Sequence, residues 1–141
     1  MVSLEGIRVL FADDETYNMR GTIDALENAG ATVEVKTDGT EVLEYLRAHR
    51  TNLPDLLILD IMMPKGIEIK TKDEGRSTGV AVYKWMQTEK IRIPTVVSTV
   101  VSDSSILQIF HDHNIPIVEK PYRFDELEYQ IQKVLNERGK Q

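Results

Sequence analysis

The sequence predicts an α/β protein in which a five-stranded parallel sheet carries helices on both faces. Two observations predict it. Five short runs of aliphatic and β-branched residues recur along the chain, and each is followed by a stretch with the apolar spacing of an amphipathic helix. The runs are apolar almost throughout, as in "IRVLFA" (Ile7–Ala12) and "DLLILD" (Asp55–Asp60), which is the pattern of strands buried on both sides. Parallel strands require crossover connections. Because those crossovers are right-handed, the intervening helices are laid on the faces of the sheet, giving a doubly wound architecture.

Each element follows from its residues. Ile7–Ala12 is the first strand. Thr16 to Ala29 is read as a helix, with Met19, Ile23 and Leu26 on one face and Gly30 as its stop. Thr32–Val35 is the second strand. Asp38 and Glu41 have the spacing of a capping box for a helix that turns Val42, Leu43 and Leu46 inward. Asp55–Asp60 is the third strand, and Gly79 to Thr88 the third helix. Thr95–Thr99 is the fourth strand, followed by a helix from Ser104 to His113 presenting Ile106, Ile109 and Phe110. Ile115–Glu119 is the fifth strand. Phe124 to Arg138 is the last helix, with Leu127, Ile131, Val134 and Leu135 facing inward and Gly139 at its end. One connection breaks the rhythm. Lys65 to Thr78, "KGIEIKTKDEGRST", is longer than compact domains ordinarily use, and connections of this length are often functional.

Composition narrows the function classes. The chain has 141 residues, 41% apolar and 28% charged, which suits one globular domain with a real core. With the last helix ending near the C-terminus, the expectation is a single domain over residues 1–141 and no output domain. The absence of cysteine excludes disulfides and thiolate metal sites. No apolar run has the length of a membrane span, and "MVSLEGIR" lacks the apolar core of a signal peptide, so a cytoplasmic protein without membrane contact is expected. A net charge of −6 without a basic cluster argues against direct nucleic-acid binding. His49, His111 and His113 do not form a metal set. His111 and His113 are two apart on a helix and share no face.

In an open α/β sheet, ligands bind at the carboxyl ends of the strands. The first strand delivers Asp13 and Asp14 there, followed by Glu15. The third delivers Asp60, the fourth Thr99 with Ser98 beside it, and the fifth Lys120 followed by Pro121. Singly, each has an ordinary reading: Asp14 or Glu15 as a helix cap, Asp60 as the start of a turn, Lys120 as a surface lysine. Jointly, three carboxylates, a hydroxyl and an ammonium converge on one edge. Hard oxygen ligands suit Mg²⁺, and a hydroxyl with a lysine suits a phosphoryl group. A carboxylate beside both can act as a phosphoryl acceptor.

The combination of "FADDE", "PDLLILDIMMP", "IPTVVST" and "VEKPY" resembles the receiver domain of two-component response regulators, over essentially the whole span from Ile7 to Arg138. The resemblance implies a flavodoxin-like (βα)5 fold with strand order 2-1-3-4-5. It makes Asp60 the phosphoacceptor. Asp14, Asp60 and the carbonyl of Met62 become direct Mg²⁺ ligands, with Asp13 acting through water. Thr99 becomes the hydroxyl that follows the phosphoryl group, and Lys120 the lysine that pairs with acceptor and phosphoryl oxygens in turn. A cis Lys120–Pro121 bond is expected. The implied partners are a sensor histidine kinase or phosphotransfer protein as donor and a separate effector protein as target. The only chemistry implied is the protein's own phosphorylation and dephosphorylation.

The sequence departs from that family pattern in four places. Ile117 stands where the switch aromatic is expected as partner of Thr99, leaving Tyr122 as a possible substitute. Val100 occupies a position that is usually small. Met62 and Val101, which flank the path of a hydrolytic water, are apolar and cannot hydrogen-bond it. The 65–78 connection is the largest departure. The alternation in "GIEIKTK" between Gly66 and Gly75 allows a small β-flap, read either as a lid or docking element that brings Lys70, Lys72 or Arg76 near the phosphoryl group, or as a solvated loop. Two rival functions are weighed. A phosphohydrolase of the haloacid dehalogenase type would carry a second aspartate two residues after its strand-one nucleophile, and "FADDET" lacks that spacing. A degenerate receiver acting as a phosphorylation-independent interaction module ranks second, because all the acidic-site residues are present; Ile117 and Val100 are its best support.

Overall fold

The computed structural model describes residues 3–70 and 75–138. Five strands, β1 (Arg8–Ala12), β2 (Thr32–Lys36), β3 (Leu56–Leu59), β4 (Thr95–Thr99) and β5 (Ile117–Glu119), alternate with five helices. These are α1 (Arg20–Asn28), α2 (Gly39–Ala48), α3 (Thr78–Thr88), α4 (Ser104–Asp112) and α5 (Phe124–Arg138). The strands form one parallel sheet in the order β2-β1-β3-β4-β5, as the resemblance implies.

The two-residue period of the strands divides the core. Leu10, Ala12, Leu57, Leu59 and Val97 face α2, α3 and α4, whose Val42, Leu46, Val82, Met86 and Phe110 complete that layer. Val9, Phe11, Leu56, Ile58, Val96 and Val118 face α1 and α5, meeting Ile23, Leu26, Leu127 and Ile131. Both sides of the sheet are therefore covered at β1, β3 and β4, which explains why these strands read as continuous apolar runs, whereas the edge strand β2 keeps Thr32 and Glu34 exposed.

Several boundaries differ from the sequence reading: β1 starts at Arg8, α1 ends at Asn28, β2 ends at Lys36, β3 spans Leu56–Leu59 and α3 starts at Thr78. The first helix begins at Arg20 rather than Thr16, because Glu15 to Met19 closes as turns, with the Met19 N–H donating to Glu15 O at 2.9 Å. The fifth strand begins at Ile117 rather than Ile115. Pro116 has no N–H for a ladder, and the Ile115 N–H instead donates to Phe110 O at 2.8 Å behind α4. The last turn of α4 ends at Asp112, with His113 as its cap. The Asp38 cap is present, its carboxylate accepting from the Glu41 N–H at 2.8 Å. The return half of the capping box is shifted by one residue, since Glu41 accepts from the Thr37 N–H at 2.8 Å.

The long connection does not start as a β-flap. Residues 66–68 form turns, while Thr71 and Lys72 lie outside the described residues. Its first half is fastened to the start of α2. The Gly39 and Thr40 N–H groups donate to Pro64 O and Lys65 O at 2.9 and 3.0 Å. The buried Thr40 hydroxyl donates to Lys65 O at 3.1 Å and accepts from the Glu68 N–H at 2.9 Å. Ile69 is buried on top of Gly39, where any Cβ would collide with its Cδ1.

Candidate functional site

The sheet register assembles the site. Ala12 pairs with Leu59, so the next residues, Asp13 and Asp60, leave adjacent strands side by side. Thr99 closes β4 opposite Glu119, and the following Lys120 N–H donates to Thr99 O at 2.8 Å. Close approach behind Asp60 is allowed by Gly79 at the start of α3, where a Cβ would run into Asp60 O and the Ile61 backbone.

Asp13, Asp60 and Thr99 are buried, whereas Asp14 is exposed at the rim. The Lys120 ammonium, only 8% exposed as a side chain, donates to Asp13 Oδ2 at 2.7 Å and Asp60 Oδ2 at 3.1 Å. It also reaches Glu15 Oε2 at 3.3 Å. Asp13 Oδ1 accepts from the Glu15 N–H at 2.8 Å, and Asp60 Oδ1 from the Met62 N–H at 3.2 Å. One carboxylate oxygen from each of Asp13, Asp14 and Asp60 lies within 4.8 Å of the others, a spacing that can hold a small divalent cation.

The charges in this pocket do not balance. Burial pushes the Asp60 carboxyl up to about 6. The Lys120 charge and hydrogen bond and the Thr99 hydroxyl work against that rise, and the Asp13 charge adds to it. Burial likewise raises Asp14, opposed by a backbone hydrogen bond and assisted by the charges of Asp13 and Glu15. For Lys120, burial disfavours the ammonium, yet hydrogen bonds and charge from Asp13 and Asp60 outweigh it and the pKa rises. A single ammonium thus serves three carboxylates, with a fourth at the rim. Additional positive charge fits here, which is a further reason that these residues suit a divalent cation.

The structure brings Asp13, Asp14, Asp60, Thr99 and Lys120 together at one edge, and the Lys120–Pro121 peptide is cis. Met62 starts the rim and is 43% exposed. Val101 is buried, and its N–H donates to Thr99 Oγ1 at 3.2 Å. Val100 is 51% exposed beside it. Ile117 is half-buried against the α2–α4 layer. Tyr122 does not replace it as a partner of Thr99. It packs in the opposite layer, with α1 and α5, and its hydroxyl lies 2.7 Å from Ser98 Oγ. Lys70 and Arg76 are exposed, and the charge of Arg76 acts on Asp103, the cap of α4. Lys72 lies outside the described residues.

Two contacts escape the motif reading, although it names their residues. Glu15 is the third carboxylate on Lys120, and its place directly after the acidic pair was the available signal. The Ser98–Tyr122 hydroxyl pair is the other. Its signal was a serine inside an otherwise apolar strand segment together with a tyrosine just beyond Lys-Pro.

Comparison with known proteins agrees with this geometry. A family model described as the response regulator receiver domain matches residues 9–132. Response regulator MprA of Mycobacterium ulcerans (strain Agy99) is 37% identical over 73 residues, which cover 52% of this chain and 30% of that protein. The chain thus spans less than a third of MprA's length. The probable methanogenesis regulatory protein FilR2 of Methanothrix harundinacea (strain 6Ac) is 27% identical over 135 residues, 89% of this chain and 79% of that one. Among solved structures, the receiver domain of the Francisella response regulator 1452 superposes with a TM-score of 0.73 at 22% identity, over 94% of this chain and 99% of that chain. A CheY-like receiver domain protein from Methanospirillum hungatei JF-1 gives 0.74 at 21% identity, over 95% and 97%. At these identities the structural likeness speaks for the fold.

Proposed function

Because the chain belongs to the response regulator receiver domain family, we propose that it accepts a phosphoryl group on Asp60 and passes that event on as a change of conformation read by a separate effector protein. The observation that carries this reading is the placement of Lys120 Nζ, 3.1 Å from Asp60 Oδ2 and 2.7 Å from Asp13 Oδ2, inside a cluster of three aspartates.

The donor is a phosphohistidine of a sensor histidine kinase or a phosphotransfer protein. A carboxylate oxygen of Asp60 attacks phosphorus in line with the departing ring nitrogen. A P–O bond forms as the P–N bond breaks, and the imidazole leaves, taking up a proton. Asp13, Asp14 and Asp60, with the Met62 carbonyl, are the residues that would hold Mg²⁺. When bound there, Mg²⁺ supplies charge neutralisation to the phosphoryl oxygens. Lys120 gives up its contact with Asp60 for a phosphoryl oxygen, and Thr99 turns its hydroxyl from Asp60 to the same group. These are contacts only the phosphorylated state can make, so they shift the population toward it. Ile117 adds no hydrogen bond to that shift. The chain transforms no substrate other than its own Asp60 side chain.

Intact-protein mass after incubation with Mg²⁺ and acetyl phosphate tests the reading. One phosphoryl adduct is expected on the wild type and none on Asp60→Asn. No adduct on the wild type, together with no response to beryllofluoride, overturns it in favour of a phosphorylation-independent interaction module. The adduct should also be long-lived, since neither Met62 nor Val101 can orient a water by hydrogen bonding. Met62→Asn is expected to shorten its half-life, and an unchanged decay rate would count against this assignment.

A further inference from the structure

We propose that Ser98 and Tyr122 form a positioning pair that fixes the Lys120 loop against the Thr99 strand, an inference that rests on the phosphoacceptor reading of Asp60. Side chains alternate along β4, so Ser98 shares the sheet face of Val96, toward α1 and α5. That places a fully buried hydroxyl on an apolar face, where it needs a partner. The partner is the Tyr122 phenol, 2.7 Å away. Thr22 of α1 interacts with the same phenol, whose pKa burial raises.

The place of the pair in the chain is the second part of the argument. Ser98 immediately precedes Thr99, and Tyr122 follows Lys120 by two residues. The ladder between β4 and β5 ends with the Lys120 N–H on Thr99 O at 2.8 Å. Pro121 has no N–H to extend it. Directly beyond the ladder, the Tyr122 hydroxyl takes over as the tie from this loop to β4. Lys120 reaches its carboxylates through a long, flexible stem, so the position of its backbone decides where the ammonium can sit. The Tyr122 phenol lies within reach of the charges of Lys120 and Asp13, but its hydrogen bond goes to Ser98, so the pair acts through Lys120 and Thr99.

The test compares Tyr122→Phe, Ser98→Ala and the double variant. Tyr122→Phe removes one oxygen and keeps the ring in the core. The double variant removes both hydroxyls of the pair, so neither is left without the other, which protects the fold. Three readouts are taken: the rate of phosphorylation by phosphoramidate at saturating Mg²⁺, the affinity for beryllofluoride, and the affinity for Mg²⁺ alone. Each single variant is expected to slow phosphorylation and weaken beryllofluoride by roughly fivefold, the equivalent of one net hydrogen bond. Mg²⁺ affinity should stay within about twofold, because the aspartates are held by other strands. The double variant should be no worse than either single one, as for two residues acting as one unit. An adduct formed on Tyr122→Phe at the wild-type rate overturns this inference alone. So does a parallel loss of Mg²⁺ affinity, which marks general damage to the site. Absence of any adduct on the wild type, together with no response to beryllofluoride, overturns the phosphoacceptor reading and this inference with it.

Discussion

Two ion-paired regions flank the same loop and are built on opposite principles. In the acidic pocket, Lys120, Asp13 and Asp60 are almost sealed from solvent, with side-chain exposures of 8%, 2% and 4%. On the first half of the long connection, Arg47 and Glu68 form a bidentate pair at 2.7 and 2.5 Å, but their side chains are 44% and 34% exposed. The second pair has the better geometry and the weaker consequence, since exposed pairs are screened and contribute little. In the pocket, low dielectric magnifies every charge, and an unmatched carboxylate is costly. The connection is held to α2 by backbone and hydroxyl hydrogen bonds instead. Electrostatic strain is concentrated where phosphoryl chemistry would use it, and neutral hydrogen bonding fastens the segment around it.

The largest effect is expected from Lys120→Met, which removes the cation and keeps the length of the side chain. It leaves Asp13 and Asp60 buried together, and the metal-free protein should lose about 2–4 kcal/mol of stability at neutral pH. Urea unfolding measures it. A loss no larger than that of Arg47→Ala would erase the distinction between the two regions.

Asp60→Asn sharpens the comparison with the opposite sign. The folded-state pKa of Asp60, about 6, lies above its ordinary value of 3.8. The native state therefore binds the Asp60 proton more tightly than the unfolded chain. Its contribution is most favourable below pH 4 and is lost as pH rises through 6. At pH 7.5 without Mg²⁺, Asp60→Asn should stabilise the protein by about 1–3 kcal/mol. At pH 4 the difference should nearly vanish. A destabilised variant at pH 7.5 would mean that Lys120 fully compensates the carboxylate.

The fold was legible because its signals are local and periodic. The runs at Ile7–Ala12, Asp55–Asp60 and Thr95–Thr99 contain β1, β3 and β4 because both sheet faces are covered there, and α5 runs from Phe124 to Arg138 as its apolar spacing predicts. The pocket was legible because strand ends converge in this topology, so Asp13, Asp60, Thr99 and Lys120 needed only correct strand boundaries. What the sequence hid depends on three-dimensional pairing. Tyr122 looked free to serve Thr99, yet a strand has two faces and Tyr122 belongs to the other one, with Ser98. The alternation in "GIEIKTK" suggested strand pairing, but no neighbouring strand edge takes up residues 67–69, and α2 offers free N–H groups at Gly39 and Thr40 instead. Helix termini with unsatisfied donors attract chain in ways that periodicity does not record.

The smallest effects fall on the long connection, and their order matters more than their size. Thr40→Val keeps the shape of a buried side chain and removes its oxygen. Lys65 O retains its bond from the Thr40 N–H at 3.0 Å, but the Glu68 N–H loses its acceptor. A cost of about 1–2 kcal/mol is expected, with faster hydrogen exchange at the Glu68 amide. Glu68→Gln cuts the charge from the pair with Arg47 and leaves that amide bond intact. It should shift the urea midpoint less than Thr40→Val does and leave exchange at the Glu68 amide unchanged. The reverse order, with Glu68→Gln the more damaging, would show that the exposed ion pair fastens the connection and that charge, rather than neutral hydrogen bonding, governs both regions.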